Sequence, residues 1–483
     1  MEFHIQTLSK KRRTRQQVVA GKIAETKAKS FRQLSGCFRK FIPKKLLRPN
    51  ETGKNSRNRI FSKETTFWAF FSQMINADGG CAEVITKLRA YAALKRQGSM
   101  PVSTGSYCKA RTHLTEEEVS EIFRHTSTVL QEREQAATPQ GRRVIVVDGT
   151  GLKTADTAAN QQVWPQQKQQ EPGCGFPSLR VCACFSLETG GILSYEIGNK
   201  KSHELRLFRK QLDVFKSGDI SLTDKMFCNY FDLWNLKSRG VDSVVTLPAL
   251  KRKPVTGSSA IKKLGEDDVL IKWKKPVWNK KSAYTRQEWE SLPAEQVLRQ
   301  IKVEVKGKGF RVESFYIITT LLDPIEYPAE ELAELYFRRW EVELNFDDLK
   351  TTMGMDELRC KTPAMVRKEL MMYFIAYNAI RWLIYEAARK EKVEPLRISF
   401  KGAMQSLRQW EPHLNQPGIT RIQKRQLIEE LYRSVAGNIV PYRPNRKEPR
   451  CIKRRPKPYQ LLTKLRGEME EIEHRSKYRA KAA

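Results

Sequence analysis

Tyr336–Lys350 reads YFRRWEVELNFDDLK. Laid on a helix at about 100° per residue, Tyr336, Arg339, Glu343 and Lys350 fall within roughly a 60° arc, and Leu335, Val342, Phe346 and Leu349 form an apolar stripe beside it. One edge packs, and the next presents a hydroxyl, a carboxylate and two cations. That set suits a site that holds a metal ion together with the phosphates of a nucleic-acid backbone. An amphipathic surface helix with internal salt bridges carries the same charge pattern.

Upstream, Arg143–Asp148 reads RVIVVD and is followed by Gly149, Thr150 and Gly151. Four consecutive apolar residues predict a strand buried on both faces, with Asp148 at its end where a central sheet opens to solvent; an Asp before Gly is also a common turn. Strands follow at Leu179–Leu187 and Ile192–Ile197, then a helix over Ser202–Phe215 with Leu205, Phe208 and Leu212 on its apolar face. GDISLTD gives a short strand, Ile220–Thr223, that ends in Asp224; a helix over Phe227–Arg239 and a strand over Val241–Leu247 come next. Three strands, helix, strand, helix, strand is a ribonuclease-H-like order, in which acids at the ends of the first and fourth strands converge with one from a later helix.

Composition narrows the partner. Lys plus Arg exceed Asp plus Glu by 88 to 54, a formal excess of +34. Such an excess points to a polyanion, DNA or RNA. The basic runs are scattered rather than gathered on one amphipathic helix, which argues against an anionic membrane. The most apolar long segment, Glu369–Glu386, is interrupted by Asn378 and Arg381 and reads as a buried helix rather than a span. Nine cysteines without a CxxC pair indicate neither a disulfide framework nor a zinc site, so a reducing cytoplasm is expected. At 483 residues and 40% apolar composition the chain can bury large cores, in about three domains.

Tyr336, Arg339, Glu343 and Lys350, with Asp148 in VVDGT and Asp224 in GDISLTDKMF, resemble the signature and three acids of DDE transposases of the insertion-sequence-four family of bacterial mobile elements. The likeness covers most of the chain, since Met353–Leu370 is similar to the segment that follows the signature in that family. One departure is Lys225-Met226 after Asp224, where many relatives have Arg and Gly; Phe227 keeps the aromatic that follows. The resemblance implies an α/β fold. Its ribonuclease-H-like catalytic core would span 139–250 and 311–390, with a β-rich insertion at 251–310. A basic arm would occupy 1–60, a helical DNA-binding domain 61–138, and a carboxy-terminal basic region with helices 391–483.

Site residues follow from the same likeness. Asp148 would bridge two ions, Mg²⁺ or Mn²⁺, that Asp224 and Glu343 complete, a choice that hard oxygen donors favour over zinc. Tyr336, Arg339 and Lys350 would grip phosphates near the scissile bond. Within the insertion, Trp273, Trp278 and Trp289 lie among lysines, and the family uses a tryptophan there to stack on a flipped base; burial among snorkelling lysines is the other reading of each. Ser106, Lys109 and Arg111, around a short helix in VSTGSYCKARTHL, would face a DNA groove as in a helix-turn-helix. Ser62 is expected to cap one helix of this domain, and Thr115 with Glu118 to form a capping box on another. The arm and the proline-punctuated tail Arg443–Lys457 would neutralise phosphates. The expected activity is metal-dependent cutting of element ends and strand transfer into target DNA, by a homodimer in the DNA complex. A nuclease or junction resolvase that does not transpose would share the fold and acids, and a domesticated DNA-binding protein would keep only the basic surface.

Overall fold

The computed structural model describes residues 37–56, 60–94, 102–133, 138, 140–200, 202–248, 253–255, 259–279, 284–304, 314–414, 416, 418–441, 462–472 and 477–481. Most of the expected basic arm, and the tail Arg443–Lys457, lie outside these residues. Two compact units are present, Met1–Ile122 with Met404–Ser434, and Phe123–Ala403 with Val435–Ala483.

The first unit is helical. Helices α1 (Lys63–Ile75), α2 (Cys81–Leu94) and α3 (Gly105–His113) precede α4 (Glu116–Gln131), which continues into the second unit. Ser62 caps α1 by accepting from the Thr65 amide at 3.2 Å, and Thr115 and Glu118 exchange hydrogen bonds at the start of α4, as their spacing predicts. Phe67, Trp68, Phe70 and Phe71 make α1 the buried centre of the unit. Glu411 pairs with Lys87 of α2, and Arg408 donates to the Ile75 carbonyl, so chain read from sequence as part of the carboxy-terminal region packs among the amino-terminal helices.

The second unit is built on one mixed sheet. Its strands are β1 (Val144–Thr154), β2 (Ser178–Ser186), β3 (Ile192–Asn199), β4 (Ile220–Thr223) and β5 (Asp242–Thr246), continued by β6 (Lys262–Lys263), β7 (Asp268–Lys274), β8 (Glu295–Glu304) and β9 (Ser314–Thr319). They lie in the order β3-β2-β1-β4-β5-β9-β8-β7-β6, and β10 (Glu357–Leu358) adds to β1 in parallel. The fold is therefore α/β. β1, β4 and β5 run parallel at the centre, whereas β2 and β3 form an antiparallel flank.

Three helices fix the faces. Ile145 and Val147 of β1 pack with Leu207 and Phe208 of α6 (Glu204–Arg209, preceded by α5, Ala158–Val163) and with Leu236 of α7 (Tyr230–Ser238). The expected helix over Ser202–Phe215 is thus shorter and gives way to a 3-10 turn at Leu212–Val214. The third is a long helix, Pro363–Glu391, buried almost throughout from Met365 to Ala388. Its Asn378 accepts from the Ile192 amide at 2.8 Å and donates to the Ile192 carbonyl at 2.9 Å, clamping the start of β3. Among the described residues no helix is long and apolar enough to cross a membrane.

The stretch expected as an insertion is β-rich, with β6, β7, β8 and a short helix α8 (Arg286–Glu290). Its strands extend the central sheet through β9, which pairs with β5 (Val245↔Ile318). Ile271, Trp273, Trp289 and Leu298 share a core with Tyr230, Phe231 and Leu233 of α7.

Candidate active site

β1 does not end at Asp148. It runs on to Thr154, held on one side by β2 as far as Lys153↔Ser178. On the other side the pairing with β4 stops at Val147↔Thr223. The next step of that parallel register is Asp148 beside Asp224, so both carboxylates stand where β4 leaves the sheet. Asp148 accepts the Gly149 amide at 2.8 Å, and Asp224 accepts the Met226 amide at 2.8 Å in the turn that follows β4. Burial pushes Asp148 up to about 6; the Gly149 amide and the Arg339 guanidinium pull it down, while Asp224 and Glu204 push it further up.

The signature residues form a broken helix rather than a continuous one. After α9 (Ala329–Arg338) the chain turns through Arg339 and Trp340 and continues as α10 (Glu341–Asp347), then widens into a π turn at Asp348–Thr352. The amides of Val342 and Glu343 reach the carbonyls of Arg339 and Trp340, three residues back, and the Met353 amide reaches Asp348, five back. Tight and wide turns change the angular step per residue in opposite directions, so the face projected from sequence is altered. Glu343 and Lys350 still line one open pocket with Asp148, together with Thr150, Phe346 and Asp347.

Arg339 is buried and its Nη2 lies 3.4 Å from Glu343 Oε1, while the Glu343 side chain is 49% exposed. Lys350 Nζ is 3.6 Å from Asp356 Oδ1 at the pocket's edge. Tyr336 is placed differently from the phosphate-gripping role. It is buried, and its hydroxyl hydrogen-bonds Thr246 at the end of β5, because Leu335 and Tyr336 form the packed edge of α9. Thr246 escaped the sequence reading, since a lone Thr closing a strand carries no distinctive signal.

The other expected contacts divide. Trp273 and Trp289 are buried in the core shared with α7, away from solvent, because the apolar interior of the strands takes both rings. Trp278 is half-buried with the Arg286 guanidinium 5.9 Å from its ring. In the first unit Ser106 and Lys109 are exposed on α3, but Arg111 points inward: it donates to Gln73 Oε1 at 3.3 Å and stacks over Phe70 and Tyr107.

Carboxylate oxygens with no imidazole or thiol among them are the donors a hard divalent cation prefers, so Asp148, Asp224 and Glu343 fit such an ion in kind. Among the described residues no group of three or more His, Cys, Asp or Glu side chains stands close enough together to hold a metal ion. Mg²⁺ needs none, because it keeps waters and takes substrate phosphate oxygens alongside one or two carboxylates.

The chain is 26% identical over 422 residues to transposase InsG of insertion sequence element IS4 from Escherichia coli (strain K12), covering 84% of this chain and 89% of that protein. It is 20% identical over 265 residues to the transposase of element IS231F from Bacillus thuringiensis subsp. israelensis, covering 48% of this chain and 54% of that one. Among solved structures it matches the piggyBac transposase synaptic complex with hairpin DNA at TM-score 0.43 and 12% identity, over 85% of this chain and 87% of that one. Residues 139–379, which contain all three acids, match the family described as transposase DDE domain. The chain belongs to the DDE transposases.

Proposed function

We propose that this transposase cuts the ends of its insertion sequence and joins them to target DNA in a cut-and-paste reaction, with Asp148, Asp224 and Glu343 as the catalytic acids. The observation that carries the reading is the end of the β1–β4 pairing at Val147↔Thr223, which leaves Asp148 on β1 beside Asp224, the residue that follows β4, with Glu343 in the pocket of Asp148. The sheet order supports a ribonuclease-H-like core. DDE transposases act on DNA with divalent metal ions; the finer reading is two ions, Mg²⁺ or Mn²⁺. Bound there, such ions supply an activated nucleophile and neutralise charge on the leaving oxygen.

The chain's own groups have separate tasks. Asp148 is held by burial in a partly protonated range near pH 6 and must give up its proton to act as a ligand. Arg339 balances Glu343 and Asp148 until the site fills, and its guanidinium is shaped to take a phosphate bidentately. Lys350 adds a second cation at the pocket edge, and Tyr336, fixed to Thr246, positions Arg339 below it. In the helical unit, Ser106 and Lys109 are the exposed groups suited to a groove, and of the three tryptophans Trp278 is the one suited to a flipped base. The working assembly is a homodimer with both element ends, acting in the cytoplasm.

The test uses the full chain, Mg²⁺ and a duplex carrying the element end. Asp148→Asn and Glu343→Gln should each reduce cutting by orders of magnitude, since several kcal/mol of transition-state stabilisation are lost, while end binding persists. A pre-cut end should be joined to plasmid DNA by the unaltered protein. Cutting without joining would make it a nuclease, and normal cutting by Glu343→Gln would remove that residue from the site.

A further inference from the structure

In the helical unit α3 turns a thiol toward the start of α2. Cys108 donates to Cys81 with the two Sγ atoms 3.8 Å apart, although the residues stand 27 positions apart in the chain. Both are half-buried, and Cys81 opens α2. The approach is held from α1 by the buried Gln73. Its Nε2 donates to the Gly79 carbonyl at 2.8 Å and to Cys81 Sγ at 3.7 Å. Its Oε1 accepts from the Tyr107 hydroxyl at 2.7 Å and from Arg111 at 3.3 Å. Arg111 Nη2 also donates to Cys108 Sγ at 3.6 Å. One glutamine and one arginine thus fix both sulfurs, and each aims an N–H at one of them, an arrangement that favours the thiolate over the thiol.

We infer that Cys81 and Cys108 are a modification site: a low-molecular-weight disulfide oxidises them to a reversible disulfide that ties α3 to the start of α2. One thiol gives up its proton and its sulfur attacks the oxidant, expelling a small thiolate and leaving a mixed disulfide. The neighbouring thiolate then displaces the second small thiolate. Two protein thiols are oxidised, one small disulfide is reduced to two thiols, and the two protons released go to those thiols. Burial pushes the Cys81 thiol up and the Arg111 guanidinium pulls it down, so closure quickens as pH rises. Disulfides inside cells are mostly transient and redox-sensing, which suits a pair that is reduced at rest. Closing the bond draws the sulfurs from 3.8 Å to about 2.0 Å and carries Lys109, the next residue of α3, with them. Its consequence for DNA rests on the proposed groove role of Ser106 and Lys109.

The experiment incubates the full chain with reduced or oxidised glutathione, alkylates the remaining thiols and maps linked peptides by mass spectrometry, with element-end binding measured on both samples. Oxidation should yield a peptide pair joined through Cys81 and Cys108, faster at about pH 8.5 than at about pH 7, and dithiothreitol should reopen it. Cys81→Ser and Cys108→Ser should each abolish the link while a thermal melt shows the variant folded; the peptide map of the unaltered protein decides the matter even if a variant does not fold. Both thiols still open to alkylation after oxidation, or linked only to other cysteines, overturns the proposal. Affinity for an element end should fall roughly threefold or more on oxidation of the unaltered protein and stay constant in Cys81→Ser. A bond that forms without changing affinity upholds the site and removes α3 from the DNA-binding reading alone.

Discussion

Arg381, buried in the middle of the long helix, reaches Asp348 with its Nη2 3.1 Å from Oδ2, directly after α10. The same nitrogen donates to Asn345 Oδ1 at 2.6 Å, and Nε donates to the Tyr377 hydroxyl at 2.9 Å. One guanidinium thus ties the helix that carries Glu343 to the buried core of the unit. Arg381→Met should cost about 3–5 kcal/mol, because the buried Asn345 and the half-buried Asp348 lose their cation. Urea unfolding checks this, and a change under about 1 kcal/mol would mean that the pair behaves like an exposed one.

Asp148 gives a pH signature. Its folded value lies near 6 against 3.8 for the free side chain, mainly through burial. The folded protein therefore binds more protons than the unfolded chain between those values, and stability falls as pH rises through that window. Asp148→Asn should raise stability at pH 7.5 by on the order of 2–3 kcal/mol, with the gain shrinking as pH drops from 6 toward 4. Added Mg²⁺ should stabilise the unaltered protein and leave the variant's melt in place. Parallel melts from pH 4 to 8 decide it; a gain that does not change with pH would count against the assignment.

Trp273 and Trp278 should separate the buried core from its half-buried edge. Trp273→Ala removes a ring from the core shared with α7 and should cost about 3–5 kcal/mol. Trp278→Ala should change the melt far less and lower affinity for an element end with an unpaired terminal base. Normal stability in Trp273→Ala would contradict its burial.

Lys109 and Arg111 should differ in the same way. Lys109 is exposed, so Lys109→Ala should weaken DNA binding and reduce the salt slope by about one while the melt is unchanged. Arg111 holds Gln73 and covers two rings, so Arg111→Ala should lower the melting temperature first. Filter binding over a salt series, beside thermal melts, distinguishes them.

Elements with strong local patterns were readable from sequence. VIVV could only be a strand buried on both faces, and ISLTD set the end of β4 to the residue. The continuation of β1 past Asp148 was hidden, because GTGLKT pairs mainly with β2 and lacks a continuous apolar run. The break at Arg339–Trp340 was hidden too: helix-forming side chains do not reveal a change from four-residue to three-residue hydrogen bonding. Trp273 was legible in hindsight. The alternation Ile271, Lys272, Trp273, Lys274 puts both apolar residues on one face of β7, and the flanking lysines drew the reading outward. The joining of Arg408 and Glu411 to the amino-terminal helices depends on chain hundreds of residues away, which no local pattern reports.

The pairing of β5 with β9 closes everything between them into an excursion that begins and ends in the middle of the sheet. For a ribosome this order sets a clock. Asp148 and Asp224 leave the tunnel first, and Glu343 follows about 120 residues later, roughly 6–24 s at 5–20 residues per second. Throughout that interval the nascent chain carries two of the three proposed acids and no α10, so the proposed site is complete only once the far side of the sheet has been laid down.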